Sequence, residues 1–234
     1  MRIREIAQAR SRFDCLGNWI VLRREGWPDN KQRVHRLYYL EGLQLRLRPR
    51  RKKCPSRVRG RVPPAQERDQ RWSMNVVHDE LIDGRAFRVL TVIDQWSCES
   101  VLMEVKAGLT GQCVADALEA ASAHRSLPKT VTVDHGTKFT SVALDAWAHR
   151  RGVTLDFIRS GKPVDNACID SFNGRLRNEC IIVQRFTSIA HAQDVIEQWR
   201  CDDNNRRPHG ALGFLTPRKY ATQGQQQGSK AAAL

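Results

Sequence analysis

Two aspartates with 35 residues between them, Asp134 and Asp170, are the side chains in this sequence best suited to chemistry. Each belongs to a segment with a regular hydrophobic pattern, so both can be held in place. Two carboxylates that converge on one point suit a divalent metal ion, because hard cations prefer charged oxygen ligands. The pair therefore predicts a metal-dependent site.

The elements that carry these aspartates can be read from the neighbouring residues. Asp134 ends a β-branched run, Thr130 to Val133, which predicts a strand. A carboxylate at that end lies over the rim of a sheet, where ligand sites of α/β proteins usually lie. From Asp165 onward apolar residues recur three and four apart, which predicts a helix. Those residues are Ile169, Phe172 and Leu176, and Asp170 lies on the opposite face.

Several motifs together resemble a known family. They are Trp72-Ser73-Met74, Val133-Asp134-His135-Gly136 with Phe139, Ile169-Asp170-Ser171-Phe172-Asn173-Gly174, and Arg207-Pro208-His209 with Leu212-Gly213 and Thr216-Pro217. They resemble the transposases of bacterial insertion sequences of the insertion-sequence-three type, which share the core of retroviral integrases. The resemblance covers nearly the whole chain. It implies a ribonuclease H-like fold and a role in DNA transposition and DNA integration.

The resemblance also implies a catalytic triad of two Asp and one Glu that holds two ions, Mg²⁺ or Mn²⁺. In the family these ions activate the attacking oxygen and stabilise the leaving oxygen at a phosphodiester. The three positions here are Asn75, Asp134 and Asp170, so only Asp134 carries the family's residue. Lys138 is a further departure, because the family usually has Glu there.

The two altered positions are expected to weaken the metal site. Asn75 offers one neutral carbonyl oxygen where Asp offers a charged carboxylate that can bridge two cations. Asp170 keeps its charge but is one methylene shorter than Glu. Asp79 lies roughly 13 Å from Asn75 along the strand, which is too far for a substitute. Asp94 is closer, although family members carry Asp there beside a normal first Asp.

Residues 1–42 predict a small helix-turn-helix domain. Its second helix, Lys31 to Glu41, can be capped by Asn30 and ended by Gly42. The basic residues off its apolar stripe include Lys31, Arg33 and Arg36. A basic second helix can enter a major groove, although an ordinary two-helix unit with a solvated face has nearly the same pattern. The motif Leu22 to Trp27 and the resemblance favour DNA binding.

Residues 43–70 predict a basic, proline-containing linker that cannot bury enough apolar surface to order itself. Its cations include Arg50, Arg51, Lys52 and Lys53. They are expected to bind DNA phosphates or to form part of a flexible, solvated tether, and the two interpretations are compatible. Lys162, in a Gly-Lys-Pro loop, and Arg177, seven residues after Asp170, match positions at which the resemblance implies contact with DNA.

The order of strand and helix patterns in residues 71–222 predicts the catalytic core. Three strands, 73–78, 86–93 and 100–105, come before strands 130–133 and 153–158, which alternate with helices 110–124, 141–151, 165–180 and 188–204. This order predicts an α/β fold, namely a ribonuclease H-like mixed five-stranded sheet with flanking helices. Residues 223–234 are polar and end in alanines, which predicts a disordered tail.

The net charge of +14 is concentrated in the first 70 residues, which carry 19 Lys and Arg against 7 Asp and Glu. Such asymmetry favours a polyanion partner, and double-stranded DNA is expected. Seven scattered cysteines without a CxxC pair argue against a disulfide framework or a zinc site. No stretch is apolar enough for a membrane span. We expect a protein of the bacterial cytoplasm that associates with the nucleoid on DNA.

Three functions remain open at this level. The first is an active transposase. The second is a copy that still binds DNA and interferes with an intact transposase by mixed assembly. The third is a ribonuclease H-like nuclease that acts in repair or on RNA. The motifs favour the first two over the third, and position 75 decides between them. A homo-oligomer on DNA is expected, and the product of an upstream reading frame is a further candidate partner.

Overall fold

The structure is a computed structural model that describes residues 2–10, 13–44, 64–158 and 167–231. The chain divides into two compact units, 1–61 and 62–234. Five of the predicted DNA-binding cations lie outside the described residues: Arg50, Arg51, Lys52, Lys53 and Lys162. Within the described part, no helix is long and apolar enough to cross a membrane.

The described residues of the first unit, 2–10 and 13–44, form three helices: α1 (Arg2–Ala9), α2 (Cys15–Arg24) and α3 (Lys31–Leu40). Their buried apolar residues are Ile3, Ile6, Leu22, Val34 and Tyr38. Side chains before α2 and α3 satisfy the free N–H groups of the first turns, since Asp14 accepts from Gly17 N at 2.7 Å and Asn30 from Arg33 N at 2.8 Å. The predicted cap at Asn30 is therefore present.

The second unit is built on five strands: β1 (Arg71–Glu80), β2 (Ala86–Asp94), β3 (Ser100–Lys106), β4 (Thr130–Val133) and β5 (Thr154–Phe157). Their order in the sheet is β3-β2-β1-β4-β5. The first three strands are antiparallel, whereas β4 is parallel to β1 and β5 is parallel to β4. The predicted mixed five-stranded sheet is confirmed.

Five helices accompany this sheet: α4 (Gly111–Ser122), α5 (Val142–Arg151), α6 (Ala167–Leu176), α7 (Ile189–Asn205) and α8 (Pro217–Ala231). Strand alternation sends side chains to both faces, so β1 buries Trp72 and Met74 in one core and Val77 in another. The first core includes residues of α4 and α5. The second includes Ile169 and Phe172 of α6, which places α6 on the second face.

The outer edge of β3 is covered by side chains of α7. Gln193 accepts a hydrogen bond from Val105 N at 2.7 Å and donates one to Met103 O at 3.2 Å. Asn204 accepts from Ser100 N and donates to Ser100 O, both at 2.9 Å. The amide side chains of Gln193 and Asn204 hydrogen-bond the backbone of β3 as a sixth strand would. Part of the hydrogen-bonding capacity of this edge strand is thereby satisfied.

The linker prediction is wrong for its last residues. Residues 64–70 are described, and Asp69 donates its backbone N–H to Asp94 at 3.2 Å while its carboxylate accepts from Trp72 Nε1 at 2.9 Å. Arg68 forms an ion pair with Glu99 at 3.0 Å. These residues are held because their acidic and basic side chains have partners on the core.

The prediction of a disordered tail is also wrong, because α8 continues through Ala231. Pro217 suits the first turn of a helix, and Gln, Lys and Ala have good helix propensity. Tyr220 packs its ring 4.8 Å from the ring of Trp96. A Cβ added at Gly224 would overlap the Trp96 ring, so the glycine permits the close approach of α8.

Candidate active site

Asn75 lies in the middle of β1, directly opposite Thr91 of β2. Asn75 is partly exposed. It lies two residues before buried Val77, so both side chains point to the side of the sheet on which α6 packs. Its side-chain Oδ1 accepts a hydrogen bond from Val76 N at 2.6 Å. The one side-chain oxygen of Asn75 is therefore neutral and already accepts a hydrogen bond from the backbone.

Helix α6 is fastened to the same strand pair. The Thr91 hydroxyl lies 3.0 Å from Asn173 Oδ1 and 3.2 Å from the backbone oxygen of Asn75, and it can donate to either acceptor. Asn173 is buried, and so are Ile169 and Phe172 on the same helix. Asp170 precedes Asn173 by one helical turn and remains exposed, as the amphipathic pattern predicts.

Asp134 follows β4 directly, and its Oδ1 accepts a hydrogen bond from Gly136 N at 2.8 Å. Burial raises the pKa of the Asp170 carboxyl above its usual range, and the nearby charge of Asp134 raises it further. The fold therefore brings these two carboxylates within electrostatic reach although they come from different elements.

The donor set does not fit a pair of metal ions. Among residues 64–158 and 167–231, as in the described first unit, no three His, Cys, Asp or Glu side chains are grouped so that they could hold a metal. Two carboxylates and one occupied amide oxygen carry too little negative charge for two divalent cations. The expected weakening by Asn75 and Asp170 stays a prediction.

Asp94 is not a substitute ligand. Its side chain is fully buried and accepts hydrogen bonds from Ser97 N at 3.0 Å, Ser97 Oγ at 2.5 Å and Asp69 N at 3.2 Å. It stands opposite Trp72, three residues along β1 from Asn75. Because its oxygens hold the turn after β2, Asp94 serves the fold.

A row of basic residues, which the sequence reasoning missed, crosses the other face of the sheet from Asn75. His78 stands opposite Arg88, and Arg88 stands opposite Lys106, so the three share one face at the carboxyl end of β1. Lys138 Nζ lies 3.4 Å from His78 Nε2. We call these four residues the basic row. The strand register reveals it, because the four are scattered along the sequence.

Arg177 lies near the basic row. It opens a π-helix, Arg177–Ile181, that directly continues α6, and its side chain is exposed. Burial lowers the pKa of His78, and the charges of Lys138, Arg88 and Arg177 lower it further. The predicted DNA-contacting position thus joins a positive region at the end of β1. The sequence pattern predicted one helix to residue 180 and did not anticipate the π-helical turns.

The Arg207-Pro208-His209 motif surrounds a buried acid. Asp203 Oδ1 lies 3.8 Å from Arg175 Nε and 3.6 Å from Arg207 Nε, and Asp203 Oδ2 lies 3.5 Å from His209 Nε2. Burial alone would raise the pKa of Asp203, but His209, Arg175 and Arg207 lower it below its usual value. This cluster connects α6 to α7.

Comparison with known proteins agrees with this geometry. Residues 65–163 and 151–217 each match an integrase core domain. The chain is 42% identical over 221 residues to an insertion element IS407 protein of 31.7 kDa from Burkholderia multivorans, covering 94% of this chain and 79% of that protein. It is 28% identical to the transposase InsF of insertion sequence IS3A from Escherichia coli, covering 85% and 73%. The chain belongs to the IS3-type transposase family.

Solved structures support the fold of this transposase. A chain of the simian T-cell lymphotropic virus intasome superposes with a TM-score of 0.61 at 11% identity, covering 94% of the transposase and 74% of that chain. The HTLV-2 integrase catalytic core domain, solved with magnesium in a trimeric form, gives 0.53 at 13% identity, covering 67% and 98%. The predicted integrase-like core is confirmed.

Proposed function

We propose that this IS3-type transposase binds double-stranded DNA but joins DNA strands poorly as it stands. The observation that carries the proposal is the state of position 75. Its side chain is neutral, and its one acceptor oxygen is engaged with Val76 N at 2.6 Å. Beside it, Asp134 and Asp170 repel each other without a third acid.

Electrostatics explains why position 75 should matter more than position 170. Transition-state stabilisation in phosphoryl transfer depends on charges fixed in a preorganised site. Asn75 lacks the charge altogether, whereas Asp170 keeps it and loses only reach. A restored carboxylate at 75 would face the α6 side of the sheet, where Asp170 lies on α6. The residues present in this chain therefore support no metal-dependent step.

Two surfaces support the DNA-binding part of the proposal, one in each unit. On α3, Lys31, Arg33 and Arg36 are exposed, and Arg33 has only a solvent-exposed pairing with Asp29 at 3.1 Å. On the core, Lys138 of the basic row lies near Asp134, and Arg177 lies near His78 of the same row. Lys138 in particular brings a cation where the family usually carries an acid, so the groove can attract phosphates although it holds metals poorly.

A strand-transfer assay tests the catalytic part. The full chain would be compared with Asn75→Asp, Asp170→Glu and the double variant, with Mg²⁺ or Mn²⁺ and an element-end DNA duplex. We expect almost no joining by the present chain, little recovery from Asp170→Glu, more from Asn75→Asp, and most from the pair. The gains should be strongly non-additive, because ligands of one site act as a unit.

The control is Asn75→Asp combined with Asp134→Asn, which carries the same formal charge as the present chain but lacks the central acid. It should stay inactive. Robust joining by the unmodified chain would contradict the proposal. Equal recovery from each single variant would contradict the ranking of positions 75 and 170.

A binding titration tests the DNA-binding part. Replacing Arg88, Lys106 and Lys138 by Ala should weaken binding to duplex DNA, because each lost phosphate contact lowers the slope of log affinity against log salt by about 0.9. Lys129→Ala is the matched control, since Lys129 precedes β4 at the opposite end of the sheet and pairs with Glu67 at 3.0 Å. An unchanged slope in the triple variant would exclude the basic row from the DNA path.

We also propose that the transposase assembles with further copies of itself on DNA. Support comes from the intasome and the trimeric integrase core with which its fold superposes. A copy that binds DNA and assembles but joins strands poorly would interfere with an active relative in mixed assemblies. The product of an upstream reading frame remains a candidate partner.

A further inference from the structure

A cavity of about 390 Å³ lies beside α6 in the second unit. Among the residues that the structure describes, its wall contains three basic side chains and no Asp or Glu. The basic ones are Arg175 of α6, and Arg207 and His209 from the segment after α7. Because Ile93 and Phe172 also line it, the cavity lies on the α6 face of the sheet, whereas the basic row lies on the other face. The two basic regions are therefore separate.

The acids that compensate these cations are not part of the wall. Asp203 is buried, and its Oδ1 lies 3.8 Å from Arg175 Nε and 3.6 Å from Arg207 Nε. Arg207 also forms an ion pair with Glu179 through Nη1. Neither acid is among the described residues that line the cavity. The acids thus hold the guanidinium groups in place, while the cavity itself is bordered by cations.

Two nitrogen atoms of the lining residues are buried and have no hydrogen-bond partner in the described part of the chain, namely Arg175 Nε and His209 Nε2. Asp203 lies 3.8 Å from the first and 3.5 Å from the second, and both distances exceed those of normal N–H···O hydrogen bonds. A buried donor without an acceptor costs free energy. An anion in the cavity can supply acceptors to these side chains.

The rest of the wall suits a nucleotide better than a bare phosphate ion. Ile93, Phe172 and Pro208 supply apolar surface, and the guanidinium carbon of Arg175 lies 5.6 Å from the centre of the Phe172 ring. The volume is within the range of ligand pockets, and it exceeds what one phosphate group needs. Bases stack on aromatic side chains, whereas phosphates bind guanidinium groups.

We propose that this cavity binds the phosphate group of a nucleotide, with Arg175 and His209 as donors and Arg207 as a neighbouring charge. The sugar or base would pack against Phe172. The nucleotide is either free or one unit of a DNA strand, and both sources present the same phosphate chemistry. Phosphate binding here needs neither the basic row nor strand transfer, so it stands or falls separately from the proposed function.

Thiol labelling of the full chain tests the site, because Cys98 and Cys168 line the same cavity and report on its occupancy. Mass spectrometry would follow iodoacetamide labelling at each cysteine with inorganic phosphate, dAMP or duplex DNA present. At a dAMP concentration about ten times its Kd, labelling of both cysteines should slow by about tenfold, since only the unoccupied fraction reacts. Inorganic phosphate should have the same effect at higher concentrations. Cys113 and Cys201, outside the wall, are internal controls.

Arg175→Ala should weaken the protection by phosphate roughly 10- to 100-fold, because a charge-assisted hydrogen bond is lost. Ser171→Asp leaves the buried cluster intact and should also weaken it, because Ser171 is exposed in the wall and a carboxylate there repels phosphate. Gln198→Asp, at an exposed position of α7 outside the wall, is the matched control and should leave the protection unchanged.

The three ligands distinguish the source of the nucleotide. Protection by duplex DNA that Ser171→Asp weakens would identify a DNA strand, and protection by dAMP without protection by duplex DNA would identify a free nucleotide. Both results support the site. Protection by inorganic phosphate alone would overturn the assignment to a nucleotide. Equal slowing at Cys113 and Cys201, or no slowing with any of the three ligands, would overturn the proposal.

Discussion

The second unit contains two acidic centres that differ in how completely their charges are matched. At the closed centre, Asp94 is fully buried and accepts three hydrogen bonds. At the open centre, Asp170 is exposed, and the charge acting on it is that of another acid, Asp134. Buried Asp94 is thus surrounded by hydrogen-bond donors, whereas exposed Asp170 faces another acid.

The closed centre extends into a network of side chains around the end of β2. Arg125 donates to Asp69 at 2.6 Å and to Glu99 at 2.7 Å, and Arg68 reaches Glu99 at 3.0 Å. Asp69 also accepts from Trp72 Nε1 at 2.9 Å. Loss of one charge here would leave buried partners unsatisfied. The open centre imposes no such cost, so Asn75 can replace an acid while the core still folds.

The largest effect should follow from Asp94→Ala. This change removes the acceptor for Ser97 and for the backbone of Asp69, and it should lower the free energy of unfolding by about 3–5 kcal/mol. Urea denaturation would measure it. Asp116→Ala is the matched control, because Asp116 is exposed and only accepts from Gln112 at 2.7 Å, so its loss should stay within about 0.5 kcal/mol. Similar losses at both positions would remove the distinction between the two centres.

A smaller effect should follow from Asp170→Asn. Because the folded protein raises the pKa of Asp170 through burial and Asp134, the folded state holds the proton more tightly than the unfolded state. Ionised Asp170 therefore lowers stability as the pH rises from its ordinary value of 3.8 through the raised pKa. Asp170→Asn should be more stable than the parent at pH 7, by less than about 0.5 kcal/mol after solvent screening.

The same gain should shrink as the pH falls, because the parent carboxyl becomes protonated and neutral. Thermal melts between pH 7 and pH 4 would measure the difference between the two proteins. Asp116→Asn, at an exposed site on α4, should show no such trend. A gain that grows in acid would mean that Asp170 has a favourable partner in the folded state.

Much of the fold could be predicted from hydrophobic alternation. The β-branched run at 130–133 is a strand with those bounds, and the apolar spacing of Ile169, Phe172 and Leu176 gave the buried face of α6. The integrase-like core also followed from the motifs. These features are local in sequence, so periodicity and short motifs describe them well.

The rest depends on pairings between distant residues. The basic row needs the register of β1, β2 and β3, which no local pattern contains. The role of Asp94 could not be read from the sequence, because one of its hydrogen-bond donors, Asp69 N, lies on a segment assigned to the linker. The helical tail was missed because its contact with Trp96 is tertiary. The catalytic roles of Asn75, Asp134 and Asp170 stay predictions.

The amide side chains along β3 have a consequence for assembly. An unpaired strand edge can pair with a strand of another molecule, and this pairing leads to aggregation when many copies are concentrated in one place. Gln193 and Asn204 already bond Met103, Val105 and Ser100 of that edge. If copies assemble on DNA as proposed, we expect them to meet through surfaces other than the outer edge of β3.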